Sequence, residues 1–380
     1  MKIVQIFIIG KFIALFNLSI ILQLSSFDRS DLWRSGRIIF MECSNAFCQV
    51  RFAIVHINNF FNFQNICRPS EDDVYICTSL KIANTSTKYI TGFEPVATST
   101  TAHHVLLVGC KNPAREETVF NCGVQGSHTK RDARYQSASD PCESGMGINQ
   151  LLFTWSKDAP QLILPEDASI PVSGSDTNID WLVLQVHYAH SDQTSIEGDN
   201  TGFIVHYTDV PTPKTVGLLG TFSYGDYPAL ATTHNEAACK ITEDVIIHPF
   251  RYFAHTHGLG KVVSGWKVTQ DMSWTLVGKH DPQLPNAFYS IDDAGFTMTK
   301  GDFLATRCTM VNTGDRLVET GTTHTDEMCQ YYIMYWVEGP KTLDMKICKS
   351  QGFPFYSWSS GFAGRGVMLQ NIPDEEASSL

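Results

Sequence analysis

The run WLVLQVH at residues 181–187 is typical of a buried β-strand, because it combines β-branched and aromatic residues with few polar ones. From Val74 onward, similar short runs alternate with Gly, Pro, Asn and Asp. Further examples are 105–108, 203–207, 261–268 and 331–337. Long amphipathic helices are not evident in the pattern, so the sequence predicts an all-β fold built from antiparallel sandwiches.

A proline-rich segment divides the β-rich part of the chain. Val210-Pro211-Thr212-Pro213 is typical of a hinge, because proline removes backbone donors and stiffens extended chain. We therefore expect two tandem domains at residues 65–210 and 211–350, followed by a C-terminal tail at 351–380. Residues 27–64 show no clean periodicity and are left unassigned.

Composition excludes several classes of function. With 380 residues, 43% of them hydrophobic, the chain can bury a substantial core, which argues against disorder. The 28 Lys and Arg against 39 Asp and Glu give a formal charge of -11, which repels phosphate backbones and anionic headgroups. Nucleic acid is therefore not an expected partner.

The first residues and the cysteines predict secretion. Residues 1–26 combine Lys2 with short apolar runs, which is typical of a secretory signal; the alternative, a membrane anchor, is disfavoured because Lys11 and Asn17 interrupt the apolar stretch. The eleven cysteines lack CxxC pairs and indicate disulfides, and the sequon at Asn84 fits a secreted surface loop. We expect a location in the secretory pathway or outside the cell, without stable membrane insertion.

Five of the thirteen histidines fall into three short groups: His103-His104, His187, and His255-Thr256-His257. Residues two apart on a strand project from the same face, so His255 and His257 can grip one metal ion. Adjacent His103 and His104 would need a bulge, a strong twist or a strand end to converge.

Each of these features also has a purely structural interpretation. Chance alone gives about 0.4 adjacent histidine pairs in such a chain. A single histidine in a strand, such as His187, is more often a hydrogen-bonded core residue, and Met328 is by default a core filler. Imidazole suits zinc and copper alike, whereas a thioether selects cuprous copper. No acidic residue adjoins either histidine pair, so a zinc hydrolase is disfavoured without being excluded.

With their flanking residues, these groups resemble the peptidylglycine α-hydroxylating monooxygenases, which are relatives of dopamine β-monooxygenase. The matching stretches lie between about Arg68 and Cys348 and keep the order and spacing of the family. They are HHVLLVGC (103–110), LQVHY (184–188), HTHGLGKVVSG (255–265), PQLP (282–285), Gly301-Asp302, DEMC (326–329) and YIMY (332–335).

The resemblance implies two jelly-roll-like sandwich domains with one copper ion each, facing each other across an open cleft. The first copper would be held by His103, His104 and His187 and would store and deliver an electron. The second would be held by His255, His257 and Met328, where O2 and substrate are processed. Ascorbate and O2 would be the co-substrates, and the α-carbon of the terminal glycine of a glycine-extended peptide would be hydroxylated.

The resemblance also implies a disulfide pattern. The implied pairs are Cys77–Cys122, Cys110–Cys142, Cys239–Cys348 and Cys308–Cys329. A further family bridge would end near Asn200, where this chain has no cysteine. Cys43, Cys48 and Cys67 therefore have no assigned partners; Cys43 with Cys48 is one pairing, and one thiol of the eleven stays free or pairs between chains.

Substrate recognition departs from the family. Tyr332 matches the tyrosine that binds the peptide carboxylate, and Gln330 stands in place of a nearby asparagine. The family arginine two residues before the H-T-H motif is Phe253 here. Arg251 lies two residues earlier still and could point to the same strand face, which motivates the hypothesis that it holds the carboxylate.

Two other functions stay open at this point. Phe253 favours a copper hydroxylase of a phenethylamine-like substrate, and a catalytically silent protein that captures peptide C-termini is a third alternative. If the peptide hydroxylase is correct, a separate lyase is expected to complete amidation, because only a short tail follows Cys348.

Overall fold

The computed structural model describes most of the chain from residue 37 onward. The described residues are 37–44, 47–54, 73–82, 86–115, 119–122, 140–143, 150–175, 177–189, 201–291, 295–321, 323, 325–344, 347–360 and 367–380. The predicted signal segment 1–26, the sequon at Asn84, Cys67 and the departure at Asn200 lie outside them.

The N-terminal half of the described chain is made of strands. β1 (Arg37–Ser44) and β2 (Phe47–Ile54) form an antiparallel hairpin that places Cys43 opposite Cys48. The strands that follow are β3 (Val74–Lys81), β4 (Lys88–Val96), β5 (His104–Cys110), β6 (Val119–Asn121), β7 (Gln150–Ser156), β8 (Leu162–Ile163), β9 (Ala168–Val172), β10 (Trp181–Tyr188) and β11 (Gly202–Thr208).

The C-terminal half continues in the same way after the Val210–Pro213 segment. Its strands are β12 (Lys214–Ser223), β13 (Asp226–Tyr227), β14 (Ala231–Lys240), β15 (His248–Thr256), β16 (Gly260–Val268), β17 (Trp274–His280), β18 (Tyr289–Ser290), β19 (Phe303–Asn312), β20 (Val318–Glu319), β21 (Cys329–Glu338) and β22 (Ile347–Ser350). A short helix, α1 (Asp374–Ser378), lies near the end of the chain. Each of the strands predicted from the sequence is present, and the all-β class is confirmed.

The first half forms a sheet in the order β6-β3-β10-β5-β7. β10 is its central strand, which explains why the run at residues 181–187 is apolar on both faces and buried along most of its length. β11, β4 and β9 belong to a nine-stranded sheet that continues through β12, β21, β15 and β18, with β8 and β22 pairing at its sides. A four-stranded sheet has the order β14-β19-β16-β17, and β13 pairs with β20 in a two-stranded sheet.

Two apolar cores follow this layering. One contains strand residues of the first half together with Val216, Leu218 and Tyr332 of the second, so it is continuous across the predicted domain boundary. The other lies between the two sheets of the second half. The two halves therefore pack through apolar side chains and not only through the connecting segment.

The four disulfides implied by the family resemblance are confirmed. They join Cys77 to Cys122, Cys110 to Cys142, Cys239 to Cys348, and Cys308 to Cys329. The last two tie β14 to β22 and β19 to β21, so they cross-link the layers of the second sandwich. Such bridges stabilise a fold mainly by restricting its unfolded chain.

Within the segment 351–380, which the sequence predicted to be a tail, the described residues 351–360 and 367–380 pack onto the second sandwich. Trp358 is fully buried, its ring 5.0 Å from that of Trp274, and Leu369 and Ala377 belong to the same cluster. The indole Nε1 of Trp358 donates to the Ala237 carbonyl oxygen at 2.9 Å. This part of the chain therefore completes a core.

Among the residues that the structure describes, no helix is both long and apolar enough to cross a membrane.

Because Trp358 is fully buried, we expect Trp358→Ala to lower the free energy of unfolding by about 3–5 kcal/mol, the usual cost of deleting a buried aromatic side chain. Denaturant titration measures this change. Phe355→Ala is the matched control, since Phe355 is 51% exposed. Equal stability of the two variants would contradict the packing described for this segment.

Candidate metal centres

The first histidine group forms where β5 begins beside the central strand β10. His104 is the first residue of β5 and pairs with His187 of β10. His103 precedes the strand in a bend, and its backbone N–H donates to the His187 carbonyl oxygen at 2.9 Å. A strand end thus lets two adjacent histidines converge, which is one of the three conditions that the sequence required.

The three rings of this group approach one another through their nitrogens. Nδ1 of His187 lies 3.1 Å from Nδ1 of His103 and 3.1 Å from Nε2 of His104. One nitrogen from each ring can be chosen so that all three lie within 4.8 Å of one another. Nitrogens bound at about 2.0 Å to one metal ion would have similar separations. The residues present therefore fit a first metal ion held by three imidazoles.

Neighbouring side chains orient His187. Asp73 Oδ1 lies 3.3 Å from His187 Nε2, which directs Nδ1 toward the other two histidines. The Tyr75 ring stacks on the His187 ring at a centroid distance of 4.1 Å and an angle of 1°. A carboxylate on the outer nitrogen of a ligating histidine fixes its tautomer and ring orientation. Asp73 was missed at the sequence level, because only strand pairing reveals that it lies beside His187.

Burial keeps His103 and His104 uncharged. Desolvation, followed by the neighbouring His187 and His257, lowers the pKa of His103 to about 3. Desolvation also holds the pKa of His104 well below its ordinary value. Neutral imidazoles present the lone pairs that a metal ion needs.

The second histidine group lies at the end of β15. His255 is in the strand and His257 follows its last residue, and the two rings are 5.4 Å apart in an edge-on arrangement. Nδ1 of His257 lies 2.9 Å from the Asp326 carbonyl oxygen, so a proton there would leave Nε2 as the free donor atom. Burial lowers the pKa of His255 well below its ordinary value.

Met328 is brought to the second group by strand register. Thr256 pairs with Cys329, and His257 and Met328 are the next residues beyond this last pair, with both of their backbone N–H groups on the same Glu327 oxygen. Met328 is buried, and the Gln330 amide nitrogen lies 3.5 Å from its sulfur. The Tyr332 hydroxyl donates to the Gln330 side-chain oxygen at 3.3 Å. Two imidazoles and one thioether in one place suit cuprous copper better than zinc.

A buried carboxylate that the sequence did not single out holds the second group in place. Glu327 is fully buried, and its oxygens accept hydrogen bonds from the backbone N–H groups of His257, Leu259 and Met328. Burial raises the pKa of this carboxyl, whereas the three N–H groups favour its ionised form. The one feature of the sequence that could have pointed to Glu327 is its position next to Met328.

A cavity of about 370 Å³ lies between the two halves and opens beside both groups. This volume lies within the range of about 300–1,000 Å³ usual for small-molecule sites. The β-sheet of the first half contributes side chains including His104, Leu106, Val108 and Gln185; the second half contributes Phe253, His255, Met328, Gln330, Tyr332 and Lys349, among others. The predicted cleft is therefore a cavity shared by both halves.

The structure does not bring Arg251 to this cavity. Arg251 is not among the lining residues, and its Nη1 donates to the Ser290 hydroxyl on the neighbouring strand β18. A register shift between Pro249 and Arg251 accompanies this arrangement. Its role in binding a carboxylate stays a prediction, and Phe253 occupies the cavity wall next to Tyr332, at a ring distance of 6.0 Å.

The two histidine groups approach each other at the edge of the cavity. The rings of His103 and His257 are 6.4 Å apart. Lys157, at the end of β7, donates to the carbonyl oxygens of Pro282 and Gln283 at 3.1 and 3.3 Å. The Gln283 amide in turn donates to the His257 carbonyl oxygen at 2.6 Å. Lys157 thus links the first half to the loop that supports the second group.

Two family models match the chain. The model for the N-terminal domain of copper type II ascorbate-dependent monooxygenases matches residues 60–195, and the model for the C-terminal domain matches residues 218–360. The first match contains the first histidine group, and the second contains His255, His257 and Met328.

Several curated proteins are similar. Peptidyl-glycine alpha-amidating monooxygenase B of Xenopus laevis is 33% identical over 314 residues, which cover 80% of this chain and 32% of that protein. Peptidylglycine alpha-amidating monooxygenase of Rattus norvegicus is 33% identical, over 75% of this chain and 28% of that protein. Dopamine beta-hydroxylase of Canis lupus familiaris is 26% identical, over 77% of this chain and 47% of that protein. The chain thus spans about a third of the amidating relatives.

The role of Glu327 is testable by metal binding. In Glu327→Gln an amide N–H₂ replaces either the oxygen that accepts from His257 and Met328 or the oxygen that accepts from Leu259, so at least one backbone N–H beside the ligands loses its partner. We expect copper affinity at the second group to fall by about 10–100-fold, as for other residues that orient ligands. Competition with a chelator, read as copper ions per chain, measures this loss.

The first group should be unaffected by that change. Glu319→Gln, a change of an exposed side chain on β20, serves as the control and should bind copper as the unchanged protein does. Undiminished copper binding at both groups in Glu327→Gln would show that the buried carboxylate does not position the ligands.

Proposed function

The chain belongs to the copper type II ascorbate-dependent monooxygenases, and from this membership we propose that it hydroxylates the α-carbon of the C-terminal glycine of glycine-extended peptides. The observation that carries the proposal is the placement of His104, His255 and Met328 on the wall of one cavity between the two halves. A substrate in this cavity lies beside both candidate copper sites.

The proposed ligands divide as the resemblance implies. His103, His104 and His187 would hold one copper ion, and His255, His257 and Met328 would hold the other. Bound copper would supply one-electron chemistry, with ascorbate as the reductant and O2 as the oxidant. In the overall reaction one oxygen atom enters the glycine C–H bond and the other leaves as water, and ascorbate provides two electrons.

The protein's own groups place the substrate. Tyr332 and Gln330 line the cavity next to Met328 and offer a hydroxyl and an amide to the polar end of a peptide. The opposite wall carries Leu106 and Val108, which exclude water from the reacting carbon. Holding that carbon at one site is the main contribution that a protein makes to such chemistry.

Charge in the cavity favours a peptide over the phenethylamine-like alternative. None of the described residues that line the cavity is Asp or Glu, so an ammonium group would find no ion partner there. The amidating relatives are also the more similar ones, at 33% identity against 26% for dopamine beta-hydroxylase. A silent peptide-binding protein is disfavoured because it has no use for six metal ligands.

We propose that the protein acts in the secretory pathway, such as in secretory vesicles. Its four disulfides support this location, since such bridges persist in oxidising compartments. Its partners would be glycine-extended peptides and a separate lyase that releases the amide.

A direct assay tests the function. Copper-loaded protein with ascorbate and O2 should add one oxygen atom to a glycine-extended peptide, as measured by mass spectrometry, and should leave a phenethylamine unchanged. We expect His257→Ala to lower the rate by about 100-fold or more. We expect Tyr332→Phe to raise KM more than it lowers kcat, because it removes a hydroxyl that contacts substrate.

His206→Ala, a change on β11 outside the cavity lining, is the control and should keep full activity. Hydroxylation of the phenethylamine in place of the peptide would refute the proposal and favour the alternative. Binding of peptide without any turnover would favour the silent binding protein.

A further inference from the structure

We infer that Lys349 binds the terminal carboxylate of the peptide substrate. Lys349 is the one Lys or Arg among the described residues that line the cavity. A free C-terminal carboxylate entering this cavity has no other cationic side chain of that lining to pair with. The inference rests on the proposed function, which identifies the ligand as a peptide with a free carboxyl end.

Strand pairing places Lys349 in one row with His255 of the second histidine group. His255 pairs with Gln330, and Gln330 pairs with Phe222. Phe222 in turn pairs with Lys349 on the parallel strand β22. All four of these residues line the cavity, so the row lies on the face that the substrate contacts.

The row also sets the distance between Lys349 and His255. Neighbouring strands are about 4.8 Å apart, so three steps place the Cα atoms of Lys349 and His255 about 14 Å apart. The flexible four-carbon stem of lysine spans part of this gap. The carboxylate of a terminal glycine adjoins its α-carbon, so a carboxylate held by Lys349 places that carbon within the cavity that His255 and Met328 line.

A glycine of β12 lies between Tyr332 and the strand that carries Lys349. Gly220 pairs with Tyr332 on one side and with Ile347 on the other. A Cβ atom at Gly220 would lie 2.3 Å from Cδ1 of Tyr332, so the tyrosine ring leans over this glycine. Tyr332 is therefore directed across β12 toward β22, and its hydroxyl and the Lys349 ammonium can contact one carboxylate.

The position of β22 is fixed from its opposite face. Cys348 points away from the cavity and forms the disulfide with Cys239 of β14. Residues two apart share a face of a strand, which is why Ile347 and Lys349 both line the cavity. The exposed ammonium thus sits on an anchored strand, which reduces the entropy lost when it pairs with a ligand.

Equilibrium binding without turnover tests the inference. The probe is a short fluorescein-labelled peptide ending in glycine, prepared as the free acid and as the C-terminal amide. Its fluorescence anisotropy is measured with copper-loaded protein in the absence of ascorbate. We expect the unchanged protein to bind the acid about ten-fold more tightly than the amide, which is the effect of one charge-assisted hydrogen bond.

Substitutions assign that preference to a side chain. Lys349→Met keeps much of the stem and removes the charge, so it should weaken binding of the acid by about ten-fold and leave binding of the amide unchanged. Lys349→Arg should keep the preference, because it keeps the charge. Lys341→Met, which removes an exposed lysine outside the cavity, is the matched control and should bind both peptides as the unchanged protein does.

Two results would overturn the inference: an unchanged preference for the acid in Lys349→Met, or a preference that disappears in Arg251→Met instead. Copper content of each variant shows that the metal groups are intact. Failure of the proposed function is seen separately. A protein that prefers the acid through Lys349 but adds no oxygen when ascorbate is supplied would refute the hydroxylation and still support the carboxylate site.

Discussion

The pairing register of β15 with β21 determines which side chains reach the cavity. His255 opposite Gln330 and Phe253 opposite Tyr332 place all four on one face. A slip of β15 by one residue would turn His255 and Phe253 to the other side of the sheet. The Cys308–Cys329 disulfide lies at the start of β21 and ties it to β19, so it supports the register next to Met328.

Strand pairing also brings the ligands of the first group together, but the local backbone differs from that of the second group. In the second group two histidines are separated by one residue and share a strand face. In the first, His103 and His104 are adjacent, and the bend before β5 lets both turn toward His187. Each solution brings nitrogens from separate parts of the chain together only when neighbouring strands are correctly paired.

Buried carboxylates complete both groups. Asp73 contacts the outer nitrogen of His187, and Glu327 accepts the backbone N–H groups beside His257 and Met328. Neither carboxylate is needed as a metal ligand in the arrangement described, and each instead fixes the orientation of groups that are. The cavity itself has no acidic lining among the described residues, so its electrostatic character comes from Lys349 and from the metal groups. A cavity whose described lining carries a lysine and no carboxylate suits an anionic substrate.

The sequence by itself determined the all-β class and the strands around the histidines, because strand periodicity is a local property. The six candidate ligands and the four disulfide pairs came from the resemblance of its motifs to a known family. The sequence did not reveal Asp73, Glu327 or Lys349, and it gave Arg251 a role that the structure does not bring to the cavity. Those features depend on which strands become neighbours. Only the tertiary structure decided that β22 lies beside β12 and that a bulge precedes Arg251, since pairing between distant strands is set by the packing of whole sheets.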